Sequence, residues 1–467
     1  MRNPLPPQVA ERLRALRERP IDPAEKGFGP LATAGLPMVG LPMAGGVVTA
    51  VGLAAARPAL HAAGFAYPLL TLRESALANN IAAMAAYCDR AGVALAPHGK
   101  TAMSPELAAR QLVHDAWGIT VATIGQVRTY RAFGFPRLLL ANELVDEAGI
   151  AWLAAELAAD PGFEAYCYVD SLDGVAILDQ VLRHLPARLL PARSPAGRRL
   201  GVLVEIGHAD GRTGCRTDAQ ALDVAKAAAA TGTLRVAGVA GYEGSIGAGS
   251  EAEALGLIAS FCGRQRGLAG TLAADAEFGD DEFIVTAGGS AYFDVVTREL
   301  TAGGTAGMTV ILRSGAYVTY DHGYYGTVSP ARRGAADAPG LRPALELWAQ
   351  VLSRPEPGLA LLGAGRRDVG FDQGLPVPLR VIRRGLPVEV SSVEVSSVEV
   401  SSVEVSGAVT ELNDQHAYLR PDEGTALAPG DLVCLGISHP CTTLDKWRVI
   451  PVVSDDGRVT DTVHAFF

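Results

Sequence analysis

From Val93 onward the chain alternates between two textures. Short runs rich in Val, Ile, Leu and aromatic residues give way to Ala-rich stretches with apolar positions three and four apart. The runs predict strands over Val93–Ala96, Ile119–Ile124, Arg137–Ala141, Glu164–Val169, Leu200–Ile206, Arg235–Tyr242, Phe283–Thr286 and Met308–Leu312. The stretches around them predict helices over Ser75–Arg90, Pro105–His114, Gly125–Phe133, Asp146–Ala159, Ser171–His184, Thr217–Thr231, Ser250–Leu268 and Ser290–Glu299. In the first of these, Leu77, Ile81, Met84 and Cys88 share one side, and Ser75 is placed to cap its start. Strands alternating with helices imply a parallel sheet covered by helices. Eight such strands in roughly 250 residues fit a closed (β/α)8 barrel of the TIM type. An open doubly wound sheet is the alternative, but no GxGxxG follows the first strand.

The pattern changes near residue 340. Leu345–Val351, Val377–Ile382, Val409–Leu412, Leu432–Leu435 and Trp447–Val453 are short β-rich runs separated by Gly, Pro or Asp, which predicts an antiparallel β domain. Three segments follow: a leader over 1–66, a barrel over 67–325 and the β domain over 326–467. Within the last lies a tandem repeat, VEVSS, over 388–407. Its five-residue period conflicts with the two-residue period of a strand, so it reads as an expanded hairpin or edge loop outside the chemistry.

Leu31–Ala56 carries no charge and is long enough to cross a bilayer, but its Gly and Pro content makes a poor helix. A connector is the expected reading, with no membrane partner. The chain has 467 residues, 49% hydrophobic and 19% charged, a globular composition. A net charge of −10 argues against a nucleic-acid partner and suits small-molecule work. Cys88, Cys167, Cys215, Cys262, Cys434 and Cys441 form no CxxC pair, and Met1–Lys26 is polar rather than signal-like, so a reducing cytoplasm is expected.

Barrel active sites sit where strands end. After the first strand comes LAPHGKTAM, whose Gly99-Lys100-Thr101 imitates the end of a P-loop. The imitation fails on counting: the glycine required five positions before Gly99 is Ala94, and Pro97 has no N–H to offer. Lys100 instead supplies an amine, usable as nucleophile or base once desolvated. After later strands come GHADGRTG with Arg212, Tyr242-Glu243-Gly244, Gly288-Gly289-Ser290, and Arg313, Tyr317 and Tyr320-Asp321-His322. Gly288-Gly289-Ser290 before a helix is a candidate anion cradle or a plain turn. An amine and a phosphate cradle facing one pocket suggest pyridoxal phosphate.

Together, LAPHGKTAM, GHADGRTG, GYEG, TAGGS, RSGAYVTYD and GISHPCTTLDKW resemble the D-serine dehydratase and D-threonine aldolase family, alanine-racemase-like pyridoxal-phosphate enzymes of fold type III. The resemblance runs from about Tyr67 to the C-terminus, and its first and last motifs match the dehydratase branch best. It implies that Lys100 carries the cofactor and serves as base, that Arg212 faces the pyridine nitrogen, and that Tyr242, Gly288, Gly289 and Ser290 hold the phosphate. It further implies that His439 and Cys441 bind zinc beside the substrate. His98, Tyr320 and His322 are candidates for placing the substrate, by location alone. The implied reaction is dehydration and deamination of a small D-amino acid with a β-hydroxyl, D-serine or D-threonine, to a keto acid and ammonia, in a homodimer. In the aldolase branch the second metal ligand resembles Asp more than Cys, so Cys441 favours dehydration. D-Threonine aldolase and a non-catalytic pyridoxal-phosphate homeostasis protein are the alternatives; the latter resembles the barrel alone. Alanine racemization would leave the His-x-Cys pair without a purpose.

Overall fold

The computed structural model describes residues 3–28, 47–61, 65–186, 199–247, 249–275, 282–305, 307–383 and 402–467. Its first strand, β1 (Leu69–Arg73), precedes the barrel in sequence but pairs outside it. The barrel strands are β2 (Ala94–Leu95), β3 (Ile119–Val121), β4 (Arg137–Glu143), β5 (Glu164–Val169), β6 (Leu200–Ile206), β7 (Leu234–Gly241), β8 (Phe283–Ala287) and β9 (Met308–Leu312). All neighbours pair in parallel in the order β2-β9-β8-β7-β6-β5-β4-β3. The seam between β2 and β3 closes through a parallel bridge from His98 to Thr120, with Trp117 N–H donating to Leu95 O at 2.7 Å and Thr120 N–H to Pro97 O at 3.0 Å. The (β/α)8 expectation holds.

Strand alternation sorts the barrel side chains into two sets. Val202, Val204, Val239, Val285 and Val310 face outward into the core shared with the helices. Ala96, Leu139, Tyr166, Tyr168, Leu203, Ala237, Ala240, Ile284 and Ile311 fill the interior, which is therefore packed and not a pore. Helix starts are set by short polar caps. Asp146 accepts from Gly149 N–H at 2.7 Å and Ser171 from Gly174 N–H at 3.2 Å, each worth about 1 kcal/mol. Ser75 does not cap its helix. That helix, Glu74–Ala91, begins directly after β1 with Arg73 at the cap position, and the Ser75 hydroxyl donates to Asp455 instead. Leu77, Ile81, Met84 and Cys88 are all buried along it, as their spacing predicts.

The second sheet comprises β10 (Leu345–Glu356), β11 (Leu359–Leu362), β12 (Val377–Ile382), β13 (Ser402–Glu404), β14 (Gly407–Leu412), β15 (Ala417–Pro421), β16 (Leu432–Gly436), β17 (Val449–Val453), β18 (Val459–His464) and β1. It is antiparallel except where β1 lies parallel to β17, Leu72 opposite Val452. On its other side β1 runs antiparallel to β10, Leu69 opposite Trp348. The β domain thus takes its central strand from the other end of the chain. The leader also packs here: Ile21, Phe28, Val48, Leu53, Leu60 and Phe65 join Trp348, Leu432 and Val449 in one cluster. The uncharged segment expected to be a connector lies largely outside the described residues. So do 388–401 of the repeat, whose end supplies β13 at the sheet edge. No described helix is long and apolar enough to cross a membrane.

Candidate active site

Strand β2 leads through Pro97 and His98 into one 3-10 turn, Gly99–Thr101. The Tyr130 hydroxyl donates to Gly99 O at 3.0 Å, and a Cβ on Gly99 would stand 2.5 Å from that oxygen. Glycine is needed there for packing under Tyr130, not for phosphate. The turn sets Lys100 among Cys441, Arg212 and Arg313. The amine can be reached by solvent, yet enough protein surrounds it that desolvation lowers its pKa; Cys441 opposes this, and the two arginines add to it. His98, half-buried beside the same groups, is held neutral, first by desolvation and then by the charges of Lys100 and Arg313. Its Nδ1 has no partner among the described residues.

Arg212, in the loop after β6, lies over the Tyr242 ring at 4.4 Å. Arg313, just past β9, is buried and tied down: it donates to Thr286 Oγ1 at 2.8 Å and to Gly241 O at 2.7 Å. The Gly288-Gly289 turn differs from its expected use. Both of its N–H groups donate to the buried Glu243 carboxylate, Gly288 at 3.0 Å and Gly289 at 2.7 Å, while the Ser314 hydroxyl holds the two carbonyls. The following helix starts only at Phe293, not at Ser290. A carboxylate therefore shapes the cradle. Ser290 and the Tyr242 hydroxyl remain as candidate donors to an incoming anion, the latter 3.9 Å from where a Cβ on Gly289 would lie.

The β domain closes the mouth. After β16 the chain turns at Pro440 (φ −62°, ψ −42°) into the short helix Cys441–Leu444, so His439 and Cys441 converge through a turn and not along an extended segment. The Cys441 thiol donates to Thr101 Oγ1 at 3.5 Å, which sets the His-x-Cys pair against the lysine turn of the same chain. Asp372 holds His439 Nδ1 at 2.7 Å and accepts from the Thr442 hydroxyl at 2.5 Å. Burial works against charge on both His439 and Cys441. Their mutual hydrogen bond and charge attraction, joined by Asp372 on His439 and by Thr101 and Lys100 on Cys441, together outweigh it, so the His439 pKa is raised and the Cys441 pKa lowered. This is a cysteine–histidine pair oriented by a carboxylate, a sulfur and imidazole donor set that suits zinc and similar borderline metals.

Tyr320 is hydrogen-bonded away from this point, and His322 is packed away from it, its Nδ1 without a partner among the described residues. The Tyr320 hydroxyl donates to Ser329 Oγ at 2.8 Å and to Tyr325 O at 3.0 Å. His322 packs against Gly436, and its pKa is lowered by burial, with the charges of Glu346, Arg380 and Arg73 as its further influences. Tyr324 and Tyr325 come nearer: the Tyr324 ring is 6.5 Å from that of His439, and Tyr325 is felt electrostatically by Cys441 and Tyr242. Sequence reasoning also missed Glu143, Asp170 and Glu205, whose carboxylate oxygens lie within 4.8 Å of one another. The available signal was an acidic residue at or just past the end of three consecutive strands.

The comparisons agree with this architecture. Residues 344–453 match the family described as the putative serine dehydratase domain. A D-threonine aldolase of Arthrobacter sp is 28% identical over 397 residues, 84% of this chain and 90% of its own. The crystal structure of a D-threonine aldolase from Filomicrobium marinum superposes with a TM-score of 0.67 at 23% identity, covering 86% of this chain and 95% of that one. That of the D-threo-3-hydroxyaspartate dehydratase from Delftia sp. HT23 gives 0.61 at 22%, covering 86% and 98%. The fold is the alanine-racemase-like one, a parallel barrel joined to a mostly antiparallel sheet domain. The chain is thus similar over most of its length to a D-threonine aldolase, and over 344–453 to the putative serine dehydratase domain.

Proposed function

We propose that the protein is a pyridoxal-phosphate- and metal-dependent dehydratase of small D-amino acids with a β-hydroxyl, D-serine foremost. The observation that carries this reading is the contact of Cys441 with Thr101, next to Lys100. It brings an amine of lowered pKa and a cysteine–histidine pair to one point. The residues present fit the cofactor: Lys100 would hold its aldehyde end, Tyr242 and Ser290 its phosphate, and Arg212 or Arg313 would face its ring nitrogen. When bound, that group supplies the electron sink that makes an α-proton removable.

Lys100, freed from holding it, is then placed to take that proton, because desolvation leaves its amine ready to accept one. His439 and Cys441 would hold zinc, whose role is to assist departure of the β-hydroxyl. Asp372 keeps His439 Nδ1 engaged, which would leave Nε2 as the nitrogen to hold the metal. His98, neutral and with Nδ1 free of partners among the described residues, is positioned to meet a polar substrate group. The sheet domain docked on the barrel supports an enzyme over a bare cofactor-binding barrel.

The second reading is D-threonine aldolase, favoured by the curated relative of that name. Product analysis separates the two. Keto acid and ammonia from D-serine support dehydration, whereas glycine and acetaldehyde from D-threonine, with no keto acid from D-serine, would sink it. A homodimer in a reducing compartment remains part of the proposal and is read by light scattering and fractionation.

A further inference from the structure

The acidic side of the barrel mouth takes no part in the reading above. Glu143 ends β4, Asp170 directly follows β5, and Glu205 is near the end of β6. Each continues the inward-facing series of its strand: Leu139 and Ala141 before Glu143, Tyr166 and Tyr168 before Asp170, Leu203 before Glu205. Three carboxylates are thereby aimed at one point. Glu205 is only 5% exposed. Both oxygens of Glu143 and Oε2 of Glu205 are buried with no hydrogen-bond donor among the described residues. Asp170 accepts from Gly214 N–H at 2.9 Å, which fixes its orientation.

A second, independent group points the same way. Tyr168 is 2% exposed, its hydroxyl has no partner among the described residues, and it stands opposite Glu143 in the β4–β5 register. After burial, the charges of Arg313, Glu205 and Glu143 act on it. Buried polar oxygens without partners are rare in folded proteins and call for an ion or other ligand. Burial first, then Glu205, pushes the Glu143 carboxyl up to about 8, so the cluster does not tolerate three bare charges. A proton shared between Glu143 and Glu205 would remove a single charge and leave Asp170 and Tyr168 out; a divalent ion removes two and draws one oxygen from each of the three carboxylates.

We propose that Glu143, Asp170 and Glu205 form a binding site for a hard divalent cation of the Mg2+ or Mn2+ class, separate from the His439–Cys441 pair. Ligating oxygens within 4.8 Å of one another suit metal–oxygen bonds of about 2.1–2.4 Å. An all-oxygen set selects hard ions, whereas the sulfur and imidazole of the other pair select softer ones. The two sites would thus load different metals.

The test uses full-length, cofactor-loaded protein stripped of metal with chelator, and Mn2+ as the probe, its free fraction read by electron paramagnetic resonance. The H439A/C441A protein should still bind one Mn2+ per chain. Adding E143Q and E205Q should weaken that binding at least about a hundredfold, since even outer-shell changes cost ten- to a hundredfold. No Mn2+ bound by H439A/C441A, or binding unchanged by the two Gln substitutions, overturns the proposal. Thermal melts give an independent decision: Mn2+ should raise the melting temperature of the wild type and leave that of E143Q/E205Q unmoved. Equal rises in both overturn the assignment.

Discussion

The two halves of the barrel mouth are built from opposite materials. The half formed by β7, β8, β9 and β2 carries Tyr242, the Gly288-Gly289-Ser290 turn, Arg313 and Lys100, and the β domain brings His439 and Cys441 to it. The half formed by β4, β5 and β6 carries Glu143, Asp170 and Glu205. Arg212, in the loop after β6, stands on the boundary, stacked on Tyr242. The first half gathers cationic side chains, a cysteine–histidine pair and a glycine turn braced by the buried Glu243, and its net cationic character suits an anionic cofactor. The second gathers carboxylates, which suit a cation. One fold places both because every barrel strand delivers its last inward residue to the same rim.

The largest expected break in this contrast is at Lys100. Lys100→Ala should lower turnover by about a thousandfold or more, the range of lost acid–base catalysis, and should abolish the lysine-linked cofactor absorbance. Undiminished turnover would remove the amine from the mechanism. Next comes Cys441→Ala, which should cost about a hundredfold in keto acid formation and release bound zinc while cofactor absorbance stays. Activity persisting after chelation would refute the metal role. Asp372→Ala tests orientation alone. It should weaken zinc binding by about ten- to a hundredfold at unchanged cofactor content, and Asp372→Glu should recover part of it.

The smallest effect sharpens the pH behaviour of the cationic half. His98 has a folded pKa well below its ordinary 6.5, because burial disfavours its charged form. Below 6.5 the unfolded chain binds a proton that the folded chain refuses. Stability is therefore intact above 6.5 and falls as pH drops beneath it. His98→Gln should flatten that acid-side fall, read as urea midpoints at pH 7.5 and 5.5. An equally steep fall in the variant would show that His98 is not its source.

The two halves also differ in how far the sequence announces them. Lys100, Arg212, Tyr242 and the glycine turn sit in local motifs, each a few residues long and each at a strand end that periodicity had marked. The carboxylates come one apiece from three separate strands, and nothing local distinguishes Glu143 from any surface glutamate. The glycine turn was legible as a turn but not in its wiring. That Gly288 and Gly289 give their N–H groups to Glu243 depends on a residue 45 positions away. Tyr320 and His322 were placed by proximity in sequence to Arg313, but the left-handed turn at Tyr320 (φ +47°) accompanies a change in chain direction, and both side chains are bonded or packed elsewhere. Asp372 carried no motif at all.

Hydrophobic periodicity by itself determined the alternating strands and helices, and hence the barrel, because side-chain direction follows a period of two or 3.6 whatever the rest of the chain does. Local composition likewise set the turns at the strand ends. Only the tertiary structure decided that β1 belongs to the distant sheet, that Cys441 meets Thr101 from 340 residues away, and that three carboxylates share one point. Those outcomes depend on loop closure and on the packing of one domain against the other. Such contacts are made between faces, and no single stretch of sequence contains both faces.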